Sequence, residues 1–330
     1  MKTGYPLLRF GVIGVGTMGQ HHVRIANQLP GVTLVGFFDP DRQRCDEICT
    51  RHACECFDRL DDLLDQVDAV SVAAPTSLHE QIGIRCLERG IHLLMEKPLA
   101  HTLEGAERLV ELARNGGAVL AVGHVERYNP AVVAMMELLS QPREEIVSID
   151  VRRLMPFDGS RCMDVDVLYD LLIHDIDLAI EIADSPIKRV SASGRPVFSN
   201  QTDVAHTRIE FGTGTTAVFW TAKCTPQRVR TLTVATPSRL LVADTLQKTL
   251  TVHSALQVPA TADGIYLMGE IKTREIVVPE GEPLRREIED FFRAVREGTS
   301  PVVHGARALT ALRALDMVAR SLSSGKAILP

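Results

Sequence analysis

No stretch of the 330-residue chain approaches the about eighteen consecutive apolar residues that a membrane span requires. Residues 1–10 carry Lys2 but no apolar h-region and no small-residue cleavage site, so no signal peptide is expected. Positive charge is not in excess: 36 Lys and Arg stand against 42 Asp and Glu, a net charge of −6. A chain that wraps a nucleic acid or an anionic membrane is normally basic, so neither partner is expected. Local basic clusters still leave room for one small anion. Internal repeats and low-complexity segments are missing. Paired CxxC motifs are missing too. Cys45, Cys49, Cys54 and Cys56 cluster, but not at zinc-ligand spacing, and the region reads as helix-turn-strand, a further strand of the sheet, so no metal is expected. Seven cysteines, an odd count in a chain long enough to do without staples, predict reduced thiols and a cytoplasmic protein. What is present is the balance of a soluble globular protein: 45% hydrophobic and 24% charged residues, in a length that suits two domains.

The first third alternates short apolar runs with helical stretches. Strands are predicted over 8–14, 32–38, 68–74, 91–95 and 119–123. Helices are predicted over 17–29, 41–52, 77–89 and 102–114, the last with Thr102 as N-cap. Continuous apolar strands separated by helices indicate βαβ units and a parallel sheet covered on both faces. The fold class is therefore α/β, with an N-terminal doubly wound Rossmann sheet. After about residue 140 the rhythm changes. A strand over 146–153 and a helix over 167–183 lead into several strands with tight turns, among them a hairpin signal at Gly212-Thr213-Gly214. Helices follow at 284–295 and 305–322, whereas 255–272 gives no clear pattern. This half is α+β with a large, mostly antiparallel sheet. The expected domains are 1–124, which binds the dinucleotide, and 125–330, which binds substrate and mediates oligomerisation.

Gly14-Val15-Gly16-Thr17-Met18-Gly19 is a GxGxxG loop between a strand and a helix. There the glycines serve a tight turn, close backbone approach to a pyrophosphate, and close helix–strand packing. The helix start offers free N–H groups and partial positive charge to the phosphates, beside Thr17 and Met18. Asp39 ends the second strand, where a carboxylate holds ribose hydroxyls and repels a 2′-phosphate. NAD is therefore expected over NADP, although Arg42 and Arg44 lie just beyond.

Glu96-Lys97-Pro98 is read as closing the fifth strand. Ligands in such folds sit outside strand carboxyl ends, so Lys97 is placed toward the cofactor, where its ammonium steadies a substrate oxygen. Glu96 anchors the local structure or the nicotinamide ribose. Ala74, Pro75, Thr76 and His79, read as following the fourth strand, lie at the same edge. His21 and His22 are read as structural or surface residues. On the helix 167–183, Asp170, His174, Asp177 and Glu181 fall on one stripe of an otherwise apolar circumference, with Asp175 the exception. Such a stripe must face a cleft or be paired. Asp170 lies one turn from His174 and can orient its ring as an acid/base pair requires.

Gly14-x-Gly16-x-x-Gly19, Glu96-Lys97-Pro98 and Asp170-x-x-x-His174 together resemble the Gfo/Idh/MocA oxidoreductases over essentially the whole chain. The resemblance implies an open sheet of six or more strands whose outer face builds a homodimer or homotetramer. It also implies that Lys97, Asp170 and His174 form the catalytic set around a sugar or cyclitol carbon. The stretch 123–132 (GHVERYNPAV), with Val151-Arg152-Arg153, Arg161 and Asp164-Val165, resembles a nucleotide-sugar subgroup. That implies oxidation of a ring hydroxyl, at C3, of a UDP-sugar such as UDP-N-acetylglucosamine. Arg127, Asn129, Arg153 and Arg161 are the corresponding substrate-binding candidates; Arg127, Arg152, Arg153 and Arg161 form a cationic group suited to a diphosphate. Either His174 or a desolvated Lys97 can serve as base. Two alternatives stand beside this: an inositol or free-sugar dehydrogenase, and a non-catalytic NAD-sensing regulator.

Overall fold

The computed structural model describes residues 7–141, 143–157, 166–259 and 266–330. Arg161 and the Asp164-Val165 pair lie outside the described residues. The chain divides into two compact units, one of residues up to Val125 together with Glu282–Leu312, the other of Glu126–Gly281 with Arg313–Pro330.

The first unit is built on a five-stranded sheet, order β2-β1-β3-β4-β5, in which every pairing is parallel. Its strands are β1 (Leu8–Ile13), β2 (Val32–Phe38), β3 (Ala69–Val72), β4 (His92–Met95) and β5 (Leu120–Val122). Its helices are α1 (Gly19–Ala26), α2 (Arg42–His52), α3 (Leu60–Leu64), α4 (His79–Leu87) and α5 (Leu103–Gly116). Local chemistry sets their ends. Asp41 caps α2 by accepting from Arg44 N at 3.2 Å, and Thr102 caps α5 by accepting from Gly105 N at 3.1 Å. Gly117 closes α5 at φ 68°, the left-handed conformation that glycine adopts without a Cβ clash.

The strand count needs correction. Glu96-Lys97-Pro98 follows the fourth strand, not the fifth, and Ala74 to His79 follow the third. Between β2 and β3 the chain forms two helices, and the intervening segment pairs with Phe37 only as a single bridge at Cys56. Because every strand is parallel, Gly14, Asp39, Ala73, Glu96 and Gly123 all leave the sheet at one edge. The chain passes from β1 out to β2 and returns to β3 on the other side of β1, so the strand order reverses there. Open α/β sheets bind ligands at such a point.

Helix α8 (Pro283–Glu297) belongs to this first unit, although the sequence pattern groups it with the second half. Its apolar face explains why. Leu284, Ile288, Phe291 and Phe292 join the cluster that holds Phe10, Val23 and Leu94, and the Phe10 ring meets Phe292 edge-on at 4.9 Å.

The second unit carries an eight-stranded sheet, order β13-β12-β11-β10-β6-β9-β8-β7. The strands are β6 (Ser148–Leu154), β7 (Ile187–Arg195), β8 (Val204–Phe211), β9 (Thr216–Ala222), β10 (Val229–Ala235), β11 (Arg239–Asp244), β12 (Thr249–Pro259) and β13 (Tyr266–Ile276). The β6–β9 pairing is parallel and the others are antiparallel. The hairpin expected at 212–214 joins β8 to β9, with Gly214 at φ 93°. Of the segment without clear pattern, residues 255–259 belong to β12 and 266–272 to β13, which pair antiparallel. Helix α6 (Pro130–Ser140), capped by Asn129, and helix α7 (Ile173–Ala183) complete this unit with the end of α9 (Gly305–Ser324). A π-helical turn, Leu168–Leu172, leads into α7.

Candidate active site

The glycine loop has the shape of a phosphate cradle. Gly14 sits at φ 83°, and a Cβ on it would meet the Ala73 and Ala74 backbone at 2.9 Å. On Gly19 a Cβ would fall 1.8 Å from the Gly14 carbonyl oxygen. These two glycines are therefore required by the fold. Gly16 differs: nothing lies within 4 Å of a Cβ placed there, so its bareness faces open space. A backbone that needs glycine yet leaves the glycine face uncovered fits the approach of a diphosphate at the start of α1. The residues present thus fit a dinucleotide.

Asp39 is buried and locks the loop to β2. Its Oδ2 accepts from Val15 N at 2.8 Å and its Oδ1 from Asp41 N at 2.9 Å. Arg44 reaches the same carboxylate at 3.1 and 3.2 Å. The Cys45 thiol donates to the Asp39 carbonyl oxygen at 3.4 Å.

His79 lies deep in the protein. Its ring spans Pro98 O at 2.8 Å and Ala74 O at 3.0 Å, tying the loop after β3 to the loop after β4. Burial lowers its pKa against the pull of those carbonyls, and a neutral ring donates to only one of them. Ala74 and Thr76 are partly exposed and Pro75 is exposed at the same edge.

The Glu96-Lys97-Pro98 turn contains a cis Lys97–Pro98 peptide. Lys97 is half-buried, and Glu96 is 8% exposed. Glu96 Oε1 pairs with His22 Nε2 at 3.1 Å, and its Oε2 accepts from Lys97 N at 3.2 Å. Burial alone would push the Glu96 carboxyl up. His22 and Lys97 prevail and hold it below its ordinary value. His22 is therefore a structural partner of the lysine turn.

In the second unit the expected acidic stripe is present and divides into two parts. Asp177 Oδ2 accepts from Arg127 Nε at 2.7 Å, and Glu181 Oε2 accepts from Arg127 Nη2 at 2.8 Å. The off-stripe Asp175 takes three hydrogen bonds from Arg153, at 2.7 to 2.9 Å, and Arg153 Nη1 reaches Glu126 at 2.9 Å. Arg230 adds a contact to Glu126 at 3.2 Å. Burial pushes the Asp175 carboxyl up, whereas Glu126, buried too, is held below its ordinary value by Arg153 and Arg230. Asn129 caps α6 through Ala131 N and donates to Glu126 and to the Thr245 carbonyl oxygen. Arg127, Arg153 and Asn129 are thus engaged inside the unit, with 8%, 4% and 4% of their surface exposed.

Asp170 and His174 occupy the other end of the stripe. Asp170 is part of the π-helical turn, a distortion that recurs at functional sites, and His174 is in the first turn of α7. Lys223, just after β9, brings its Nζ to 3.4 Å from Asp170 Oδ2. Sequence reading missed Lys223, because 53 residues separate the partners and no motif marks it. No group of three or more His, Cys, Asp or Glu among the described residues has the arrangement to hold a metal. No helix among them is long and apolar enough to cross a membrane.

The parallel sheet, the glycine cradle and the carboxylate at the end of β2 define a dinucleotide-binding Rossmann unit. Residues 8–124 match the family described as "Oxidoreductase family, NAD-binding Rossmann fold", and residues 149–237 match the "GFO/IDH/MocA C-terminal domain". The UDP-N-acetylglucosamine 3-dehydrogenase of Acidithiobacillus ferrooxidans is 31% identical over 290 residues, 87% of this chain and 88% of that one. A solved structure of that protein has a TM-score of 0.87 at 28% identity, covering 96% of this chain and 98% of its own. The scyllo-inositol 2-dehydrogenase (NAD(+)) of Bacillus subtilis is 25% identical over 319 residues, 90% of this chain and 88% of that one. An inositol 2-dehydrogenase of Paracoccus denitrificans is 32% identical over 209 residues, 61% of each chain. The chain belongs to the Gfo/Idh/MocA family of oxidoreductases, and it is a dehydrogenase with an NAD(P)-binding Rossmann domain.

Proposed function

We propose that the protein oxidises a ring hydroxyl, at C3, of a UDP-sugar such as UDP-N-acetylglucosamine to the keto sugar, with NAD as acceptor. The observation that carries this reading is the likeness, along nearly the full length of both chains, to a UDP-N-acetylglucosamine 3-dehydrogenase. When bound, the nicotinamide supplies the two-electron acceptor. His174, oriented by Asp170, takes the hydroxyl proton, and the Lys97 ammonium steadies the oxygen as it becomes a carbonyl. The reverse division, with Lys97 as base, is separated by substitution: Lys97→Met and His174→Ala both retaining near-full turnover would refute the assignment of either. Gly14, Gly16, Thr17 and Met18 would hold the diphosphate. Asp39 favours NAD by repelling a 2′-phosphate, although Arg44 offsets part of its charge.

One observation favours a second reading, an inositol or free-sugar dehydrogenase. The guanidiniums of Arg127 and Arg153 are already held by carboxylates, buried in all but Glu181, which removes two of the cations expected to meet a diphosphate. NADH formation from NAD with a panel of UDP-sugars and inositols decides between the two. Faster turnover of an inositol would replace the nucleotide-sugar reading. No reduction with any member would favour an NAD-sensing role.

The assembly we propose is a homodimer or homotetramer formed through the outer face of the eight-stranded sheet. Val218, Trp220 and Leu240 are 37% to 41% exposed on that face, which supports it; light scattering measures it directly. The free thiols are in keeping with a cytoplasmic protein.

A further inference from the structure

Behind the Glu96-Lys97-Pro98 turn lies a group of buried polar side chains that the reaction above does not use. Residues Ala69, Leu94 and Ala121 belong to the core cluster shared with α1 and α8. Side chains alternate along strands, so Ser71, Glu96 and Gly123, two residues further on, lie on that same side. A Cβ on Gly123 would come 2.9 Å from Glu96 Oε2, so the glycine leaves room for this carboxylate. His22 of α1 is fully buried on the same side and pairs with Glu96. Glu287 of α8 is 2% exposed, on a face otherwise made of Leu284, Ile288 and Phe291.

Four polar atoms here have no hydrogen-bond partner: Glu287 Oε1 and Oε2, His22 Nδ1 and Ser71 Oγ. Buried groups left in that state are costly and call for a reason. Protonation supplies one. As a carboxylate Glu287 offers only acceptors, whereas as a neutral acid it offers an O–H donor. A neutral acid also costs far less to bury than an ionised one. The charged groups around Glu287 agree in sign. Glu96 at the end of β4 and Asp290 on its own helix both oppose a further negative charge, in addition to burial, and raise its pKa well above the ordinary value. The His22 ring and the cations of this region are committed elsewhere: His22 and Lys97 to Glu96, Arg293 to Asp290, and Arg24 to Glu282.

We propose that Glu287 is a positioning residue, held as a neutral acid behind the Glu96-Lys97-Pro98 turn. It leaves Glu96 as the single negative charge of the cluster, hydrogen-bonded to His22 and to Lys97 N, and so keeps Lys97 where the reaction needs it. This rests on the assignment of Lys97 made above; the protonation of Glu287 does not.

Two measurements test it on the full-length enzyme. The infrared spectrum at neutral pH should show a carboxylic C=O band that is lost in Glu287→Gln; a spectrum without that band overturns the proposal. Glu287→Leu removes a buried, unmatched carboxyl, so its melting temperature should hold or rise while kcat falls. A displaced reacting group costs roughly 10–100-fold. Glu287→Gln, neutral and of the same shape, should restore kcat and keep the wild-type dissociation constant for NADH, read by fluorescence. A purely structural role predicts a stabilised Glu287→Leu with unchanged kcat, and that result overturns the proposal. Failure of the wild type to bind NADH would instead strike the functional reading, and the infrared band would still report on Glu287.

Discussion

Replacing Arg153 by methionine separates a scaffold role from a substrate-binding role. The guanidinium gives Asp175 three hydrogen bonds, with Nε to both oxygens at 2.9 Å and Nη2 to Oδ1 at 2.7 Å. Asp175 is 1% exposed, so the substitution strands a carboxylate away from water. Glu126 suffers less, because Arg230 at 3.2 Å and Asn129 at 3.3 Å remain. Breaking a buried pair from one side costs about 3–5 kcal/mol. At about 2–4 °C per kcal/mol for a domain of this size, Arg153→Met should lower the melting temperature by roughly 6–20 °C. Trp220 is the one tryptophan of the chain and lies on β9, opposite Arg152 of β6, so its fluorescence reports unfolding of this unit. Adding Asp175→Leu should recover much of the loss, since an apolar pair of similar volume is often neutral relative to a buried ion pair. A Trp220 transition within about 1 kcal/mol of wild type, combined with a raised KM for the sugar, would refute the scaffold role and return Arg153 to the substrate.

Three further outcomes follow from the same geometry. Gly16→Val places its side chain in open space, so unfolding should be unchanged while NADH affinity, read by fluorescence titration, falls at least about tenfold, as befits a blocked diphosphate cradle. Glu287 binds a proton in the folded chain that the unfolded chain releases above its ordinary pKa of about 4.3. Its contribution is full below that pH and is lost as pH rises toward the folded value. Urea titrations of Glu287→Gln should therefore show stability rising relative to wild type by about 1.4 kcal/mol per pH unit across this window; parallel pH curves would contradict it. Burial pushes the Cys86 thiol up to about 12, so it should resist a thiol reagent at neutral pH until the chain is unfolded; prompt labelling in the native protein would count against its burial.

The features legible from sequence are those written locally. The glycine loop needs a strand before it and a helix after it, and both occur within about twenty residues. The carboxyl-end residues Asp39, Glu96 and Lys97 follow apolar runs whose ends are plain. The strand count went astray in the 53–57 segment because periodicity cannot distinguish one bridge from a ladder. Helix α8 was assigned to the wrong half for a related reason: an amphipathic face shows that a helix packs, but not against which core. The arginines were the hardest to place. Arg127 and Arg153 reach partners 22 to 54 residues away, and burial, which turns a cation from a ligand anchor into a structural clamp, is a tertiary property.

The ion pairs also bear on the acid/base role proposed for Asp170 and His174. Three acids on α7 are fixed from outside the helix: Asp175 by β6 through Arg153, and Asp177 and Glu181 by the 125–128 turn through Arg127. Charges that deep are tolerated only when paired, so these positions have little freedom to serve a ligand. The clamps lie C-terminal to His174 and set the axis and rotation of the helix. The π-helical turn then re-aims the residues ahead of it, placing Asp170 within reach of Lys223. Acid/base groups act best when their support is rigid. By that reasoning the stripe, which must either face a cleft or be paired, is two structures in series, an ionic clamp that holds the helix and a short polar end that it presents.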